Sequence, residues 1–470
     1  MQLTQNLRTR LTLATGALLG ATGSAHAAQD GDWLVGSGLL VYSEGNNRVT
    51  AIEPVLNLKR EYDDESSLNI RLVFDTLSGA SPNGAAIANV DQTFTSPSAN
   101  PSARSINQTQ TRASGSASSK DDHEDEDDDG ASKAYTTQAG DLPLAPHFED
   151  NRYVLSLGWE KPLDSDTKIN LGGTYSGESD FQSFSGNIAI AQDLFGKNTT
   201  VSAGINYEFD LINPNGGLPD PLSAYASSNK GKDLDTKQVI DGIVGVTQVI
   251  NRRWITQLNY SISTSSGYQN DPYKILTVAD NGNLISDPAN TDSYLYVYEN
   301  RPSDRLKQSI YWQNKFAWFK DDVLDISYRY MTDDWGIRSH TADVSYHFQP
   351  GNRFYLQPHY RYYQQTAADF YQPFLNAGDE VAVDASGSHA LVDYASSDPR
   401  LGAFSADTYG LTLGIPLAGP DQEIAITLEH YQQHDRNDVK NVASGSNLDG
   451  MSQFAELSAN WIQLSYTFRW

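Results

Sequence analysis

The residues of this 470-residue chain that could do chemistry are acidic and basic groups set in short, turn-like motifs. Asp75 opens Asp-Thr-Leu-Ser-Gly-Ala-Ser-Pro-Asn-Gly, Asp271 and Lys274 frame Asp-Pro-Tyr-Lys, and Glu299 and Arg301 lie in Tyr-Glu-Asn-Arg-Pro. Asp333, Asp334 and Trp335 are consecutive, Asp369 and Tyr371 share Ala-Asp-Phe-Tyr, and Asp398 and Arg400 share Asp-Pro-Arg-Leu. If the motifs converge, this mixture would make an ion-paired plug or a hard-cation site, since calcium takes roughly six to eight oxygens from such groups. The competing account is that Asp-Pro and Asn-Gly steps are turn chemistry and nothing more. The aromatics Tyr273, Tyr298, Trp335, Phe370 and Tyr371 would cover the charges or form an interfacial girdle.

A second set is basic and spaced for one face of a sheet. Arg71, Arg152, Lys307, Lys315, Arg329, Arg338 and Arg361 fall where an interior charge ladder would stand, and rings of Arg or Lys favour anions in pores. They could equally pair with Asp325, Asp343 and their neighbours to satisfy a polar interior. A hydrolytic rim site would use Asp333-Asp334 with His434-Asp435 as acid and base. In a chain with 59 acidic residues such pairs arise by coincidence, so no enzymatic activity is expected. His340, His347 and His359 could gather a metal or sit singly, and the metal question stays open. No cofactor is expected beyond weak calcium or magnesium binding at external carboxylates.

The elements that must position these groups read as strands. From Ile462 to Trp470 the bulky residues Ile462, Leu464, Tyr466, Phe468 and Trp470 alternate with Gln463, Ser465, Thr467 and Arg469, a strand with lipid on one side and a polar interior on the other. Similar segments recur along the chain and count to 16, or 14 if the pair within Phe181 to Phe209 is misread. The fold class is therefore all-β, a transmembrane antiparallel β-barrel of about 16 strands. The connections sort by length. Seven alternate ones are short, while the stretches 79–150, 211–237, 267–304, 366–403 and 435–455 all fall at the other end. Outer-membrane barrels have short periplasmic turns and long external loops, which puts both termini in the periplasm and every motif above at the external end.

Arg8 and Arg10, the apolar Leu11 to Leu19 and Ala25-His26-Ala27 predict a signal peptide over residues 1–27, leaving 28–470 as the barrel. There is no cysteine, so disulfides and thiolate metal sites are excluded. The net charge of −26 argues against nucleic acid as a partner. From about 85 to 147 a Ser/Asn/Thr-rich tract carries the acidic run Asp121 to Asp129, which predicts a disordered external loop. Mean hydropathy is −0.51, as expected where only alternate residues meet lipid. The expected partners are outer-membrane lipid, the barrel-assembly machinery acting on Tyr466, Phe468 and Trp470, and a periplasmic protein. The expected function is a channel or transport barrel for a small charged solute. The alternative is a plugged barrel serving a periplasmic redox or export system.

Outside the acidic tract, the chain resembles the bacterial outer-membrane family catalogued as domain of unknown function 3570. The resemblance rests on the motifs already quoted together with Tyr311-Trp312-Gln313-Asn314-Lys315, Ser327-Tyr328-Arg329-Tyr330 and Arg361-Tyr362-Tyr363-Gln364-Gln365. It implies a single barrel. Through family gene neighbours that encode small periplasmic lipoproteins and flavin-transfer proteins, it also implies a redox-linked or export role.

Overall fold

The computed structural model describes residues 33–46, 48–95, 134–225, 230–319, 322–384, 387–419 and 421–470. The expected signal peptide and the acidic run Asp121 to Asp129 lie outside them.

Sixteen strands close into one barrel in chain order, each antiparallel to the next. They are β1 (Trp33–Glu44), β2 (Thr50–Glu61), β3 (Ser67–Pro82), β4 (Leu144–Pro162), β5 (Thr167–Gly177), β6 (Phe181–Leu194), β7 (Thr199–Ile212) and β8 (Asp235–Asn251). The second half comprises β9 (Trp254–Gly267), β10 (Asp304–Ala317), β11 (Val323–Asp333), β12 (Arg338–His347), β13 (Tyr355–Gln365), β14 (Phe404–Pro416), β15 (Glu423–Asp435) and β16 (Ser458–Arg469). The ring is sealed where β16 pairs with β1, Leu464 opposite Leu39 and Ile462 opposite Val41. Backbone bonds between Trp33 and Trp470 complete that seam, at 2.6 and 2.8 Å.

Directly opposed residues of an antiparallel pair share a face, so the register sorts the wall into two surfaces. Outside stand apolar residues such as Leu72, Leu157, Ile188, Ile205, Leu258, Trp312 and Leu428, all exposed. Inside stand Glu53, Arg71, Asp75, Arg152, Asp241, Arg329, Asp343 and Glu429. A closed sheet with an apolar exterior satisfies its own backbone and crosses a bilayer without an edge. No helix of the described residues is long and apolar enough to cross a membrane.

The short turns and the Trp33–Trp470 contact share one end, the turn end. At the opposite, loop end, the long connections are folded rather than loose. Leu276, Val278, Leu295, Val297, Leu375, Val381 and Ala395 form a buried cluster flanked by Leu222 and Ala224. Ala85 and Phe94 pack on Ile275, Tyr296 and Tyr298, and Ala88 on Ala279, Leu284, Phe374 and Leu448. Five loops thus share a core and make a cap. The stretch expected to be disordered from about 85 to 147 is ordered at both flanks: Gln92–Thr95 pairs with Ala134–Thr137, and Phe94 is fully buried. The polar tract between those flanks masks the fact that residues 85–95 carry enough apolar surface to join the cap.

Candidate functional site

The cap encloses a cluster of charges. Arg301 lies between two carboxylates, with Nε 2.7 Å from Glu299 and Nη2 2.8 Å from Asp398. Arg400 grips Asp398 through Nε at 2.8 and 2.9 Å and reaches Asp271 through Nη2 at 2.9 Å. Ser396 donates to Glu299 at 2.6 Å, and the Asp271 backbone N–H also donates to Glu299. The Lys274 ammonium donates to the Pro82 carbonyl, which ties the end of β3 to the cap. Asp271, Glu299 and Asp398 are thereby balanced by Lys274, Arg301 and Arg400. Balance is required here: the Glu299 and Arg301 side chains are only 1 and 2% exposed, and a buried charge without a partner costs several kcal/mol, on the order of 3–5.

The electrostatics follow from burial and partners. Burial would raise Asp398, but Arg400 and Arg301 override it and hold its carboxyl well below the ordinary range. Burial raises Glu299, and Arg301 opposes this only in part. Lys274 is pushed down by burial against the pull of Asp271 and Asp398.

Gly84 shows how closely the segments approach. Its φ is +96°, and a Cβ there would stand 2.5 Å from the Ile275 carbonyl and 2.6 Å from Ser397 Oγ. Ser397 itself donates to the Ile275 carbonyl at 2.9 Å.

Six of the twelve candidate cluster residues, Asp271, Lys274, Glu299, Arg301, Asp398 and Arg400, therefore meet. The rest do not join them. Asp333 accepts from Arg305 Nε at 2.9 Å and from the Ile337 backbone at 2.8 Å, and the Arg305 guanidinium lies 4.3 Å over the Trp335 ring. Asp334 accepts from the Leu306 backbone at 2.9 Å. Asp369 donates its N–H to the Trp335 carbonyl at 2.8 Å, and Trp335 meets Phe370 edge-on at 5.1 Å. Tyr371 packs where Phe454 of the last loop rests on the inward-facing Phe404 and Ala406 of β14, the cap's seat on the barrel. Asp75 is fully buried on the inner wall, 2.9 Å from Arg152.

Of the candidate interior charges, Arg71, Arg152, Lys307, Lys315, Arg329 and Arg361 face inwards. Lys315 pairs with Asp325 at 3.3 Å and Arg361 with Asp343 at 2.7 Å, while Arg329 lies 5.3 Å from the Tyr311 ring centre. Arg338 is the exception. It stands opposite Thr332 on the outer surface, beside His340. As the first residue of β12 it lies at the loop end, where the apolar zone stops, and the polar run Arg-Ser-His-Thr does not reveal which face is which. Nor do the histidines gather: His340 meets Tyr328 outside, whereas His359 is clamped inside between Asp343 at 3.0 Å and Glu429 at 2.7 Å.

Sequence reasoning missed the Glu299 contact of Ser396, although Ser396-Ser397 directly precedes Asp398. It also missed the carboxylates Asp150, Glu178 and Asp180, whose oxygens lie within 4.8 Å of one another. They come from the loop-end part of β4 and the tight β5–β6 turn, and no motif marks them.

The interior changes character along the barrel axis. Beneath the cap, Asp75, Glu208, Asp210 and Lys237 are buried, with Lys237 2.8 Å from Asp210. Towards the turn end, inward-facing Asn57, Asn69 and Gln463 are exposed. The result is a polar interior with the folded cap at one mouth.

An antiparallel ring with lipid-compatible residues outside and charge inside is a transmembrane β-barrel of the outer-membrane class. The model of the family described as "Protein of unknown function (DUF3570)" matches residues 8–468, and the chain belongs to that family. No curated protein matches it. Among solved structures it is similar to a ferric enterobactin receptor mutant from Pseudomonas aeruginosa, at 10% identity over 89% of this chain and 56% of that one, with a TM-score of 0.40. A siderophore receptor from Acinetobacter baumannii shows 8% identity over 93% and 58%, with a TM-score of 0.39. A bacterial polysaccharide outer membrane secretin shows 7% identity over 93% and 98%, also with a TM-score of 0.39. The chain spans little more than half the length of the two receptors, and the likeness is one of barrel fold alone.

Proposed function

We propose that the protein is an outer-membrane transport barrel for a small charged solute, held closed by its cap, with both termini in the periplasm and the cap facing outwards. The observation that carries this reading is the balanced six-charge network within a loop-built core, set over an interior whose charged groups are buried beneath the cap and whose polar residues become exposed towards the turn end. A plug that merely filled space would be apolar. Replacing a buried ionic cluster by apolar residues of similar volume is often neutral or stabilising, so a retained one fits a device that must part. The orientation follows from the loop lengths.

Recordings in planar bilayers test the reading. Wild-type protein is expected to be silent at rest, and Arg301→Met, which leaves Glu299 and Asp398 facing each other, to show conductance steps. Steady porin-like conductance of the wild type would refute the closed cap.

A second reading, a non-conducting barrel that partners a periplasmic redox or export system, is favoured by the size of the cap, to which five loops contribute. It predicts that Arg301→Met stays silent although correctly inserted, and that a periplasmic protein co-purifies with the barrel. Tyr466, Phe468 and Trp470 are proposed as the signal read by the barrel-assembly machinery. No enzymatic step is proposed. Asp334 is engaged by a backbone N–H, and His434 faces outwards near Asp407 with β12, β13 and β14 in between. No cofactor is proposed either. The network carboxylates are engaged by Arg and Lys, so any weak calcium or magnesium binding belongs to the half-buried acids Asp150, Glu178 and Asp180.

A further inference from the structure

At the turn end, on the outer surface of the wall, lies a cavity of about 570 Å³ between the β6–β7 turn and the end of β8. Its polar lining is Asn198, Thr199, Gln248, Asn251 and Arg252, and its apolar lining includes Phe195 and Ile250. Two local features open it. The β8–β9 register slips between Val249 and Asn251, a bulge that leaves Ile250 unpaired and turned outwards. In the facing turn, Phe195, Gly196 and Lys197 take φ values of 53°, 68° and 66° in succession. A left-handed conformation costs a bulky residue on the order of 1–2 kcal/mol, and what it achieves here is to hold the Phe195 ring 80% exposed at the rim.

The cavity also stands out electrostatically. Lys197 and Arg252 flank it with Arg253 alongside, all three are exposed, and none forms an ion pair among the described residues. This is a concentration of free cations on a chain of net charge −26. The carboxylate of Asp193, near the end of β6, faces the barrel interior and accepts from Thr200 at 2.6 Å. Directly beside the site, Trp254 stacks on Phe316 at 5.3 Å, and Trp318 and Phe319 are exposed. Tryptophans at the edge of an apolar band mark the level of the lipid head groups.

From this combination we infer that the cavity binds the phosphodiester head group of an anionic phospholipid. Lys197, Arg252 and Arg253 face the phosphate, Thr199, Asn198 and Gln248 offer hydrogen bonds to the glycerol, and Phe195 and Ile250 lie against the first carbons of the acyl chains. The inference does not depend on what the barrel transports, nor on which side of the membrane this end faces.

The test is native mass spectrometry of the full chain in mild detergent, titrated with phosphatidylglycerol or with phosphatidylcholine of the same acyl chains. Wild type is expected to retain phosphatidylglycerol preferentially, and raising the salt from 50 to 500 mM before transfer should reduce that preference. Near a membrane surface each cation contributes a factor of roughly five, so Arg252→Gln with Arg253→Gln should weaken phosphatidylglycerol retention by about 25-fold. Arg436→Gln, which removes an exposed cation at the loop end, should retain it as wild type does. Equal retention of the two lipids by wild type overturns the inference whether or not the double variant folds. So does a folded double variant that keeps the preference.

Discussion

Arg301 and Asp398, 97 positions apart in the chain, meet at 2.8 Å inside the cap, each almost without solvent contact. The contact joins the β9–β10 loop to the β13–β14 loop, so the cap is fastened by charge as well as by its apolar clusters.

Removing the Arg301 side chain strands Glu299 and leaves Asp398 to Arg400 alone. Arg301→Met is expected to destabilise the cap by about 3–5 kcal/mol, the cost of breaking a buried pair from one side. Hydrogen exchange should quicken in 271–301 and 396–401 while the barrel strands keep their protection. Unchanged exchange in those segments would show that the network does not hold the cap.

The two buried acids should respond differently to neutralisation. Asp398 is held far below its ordinary value of 3.8, so its contribution is present above that pH and is lost as the pH falls through its folded-state value. Glu299 is raised above 4.5, so it disfavours the folded cap increasingly as the pH climbs from there. At neutral pH Asp398→Asn is therefore expected to cost clearly more than Glu299→Gln, as read from denaturant-dependent exchange of the cap. The reverse order would contradict the electrostatic assignment.

Gly84 and Gly140 separate backbone strain from crowding. Both have positive φ, +96° and +83°, but a Cβ at Gly140 would meet nothing within 4 Å. Gly140→Ala should cost about 1–2 kcal/mol, the left-handed penalty alone. Gly84→Ala should exceed it by about another 1–3 kcal/mol of overpacking against Ile275 and Ser397. Equal losses, compared by cap proteolysis, would mean that this approach is looser than described.

Ile205 tests the outer surface. It faces outwards in register with Ile188 and Gly242 and is 63% exposed. In urea-dependent refolding into phospholipid vesicles, Ile205→Arg should cost about 2–4 kcal/mol if it lies near the bilayer midplane. Asn206→Arg, pointing inwards, should leave insertion far less affected.

The barrel was legible because a strand between lipid and water must alternate, and Ile462 to Trp470 does so without interruption. Loop lengths then indicated which end carries the motifs. The cap was not legible as a folded body. Leu276, Val278, Leu295 and Leu375 sit in short apolar runs among Pro, Asp and Gly, too brief to show a period, and Val278 pairs in parallel with Leu375 across nearly a hundred residues. Convergence of Asp271, Glu299, Arg301, Asp398 and Arg400 could be expected from their common end, but which acid meets which base depends on side-chain reach inside the cap. Arg338 was placed wrongly because face is decided by parity, and parity cannot be read where both faces are polar.

The segments that build the cap span residue 85 to residue 454 and are interleaved with nearly all the staves of the wall, only β16 following the last of them. The ring closes when β16 reaches β1. Biogenesis therefore completes the lid and the wall almost together: a barrel short of its final hairpin also lacks Leu448 and Phe454, the pieces that lock the lid to Phe374 and Phe404. On the closed-cap reading proposed above, quality control of the wall is thereby quality control of the seal.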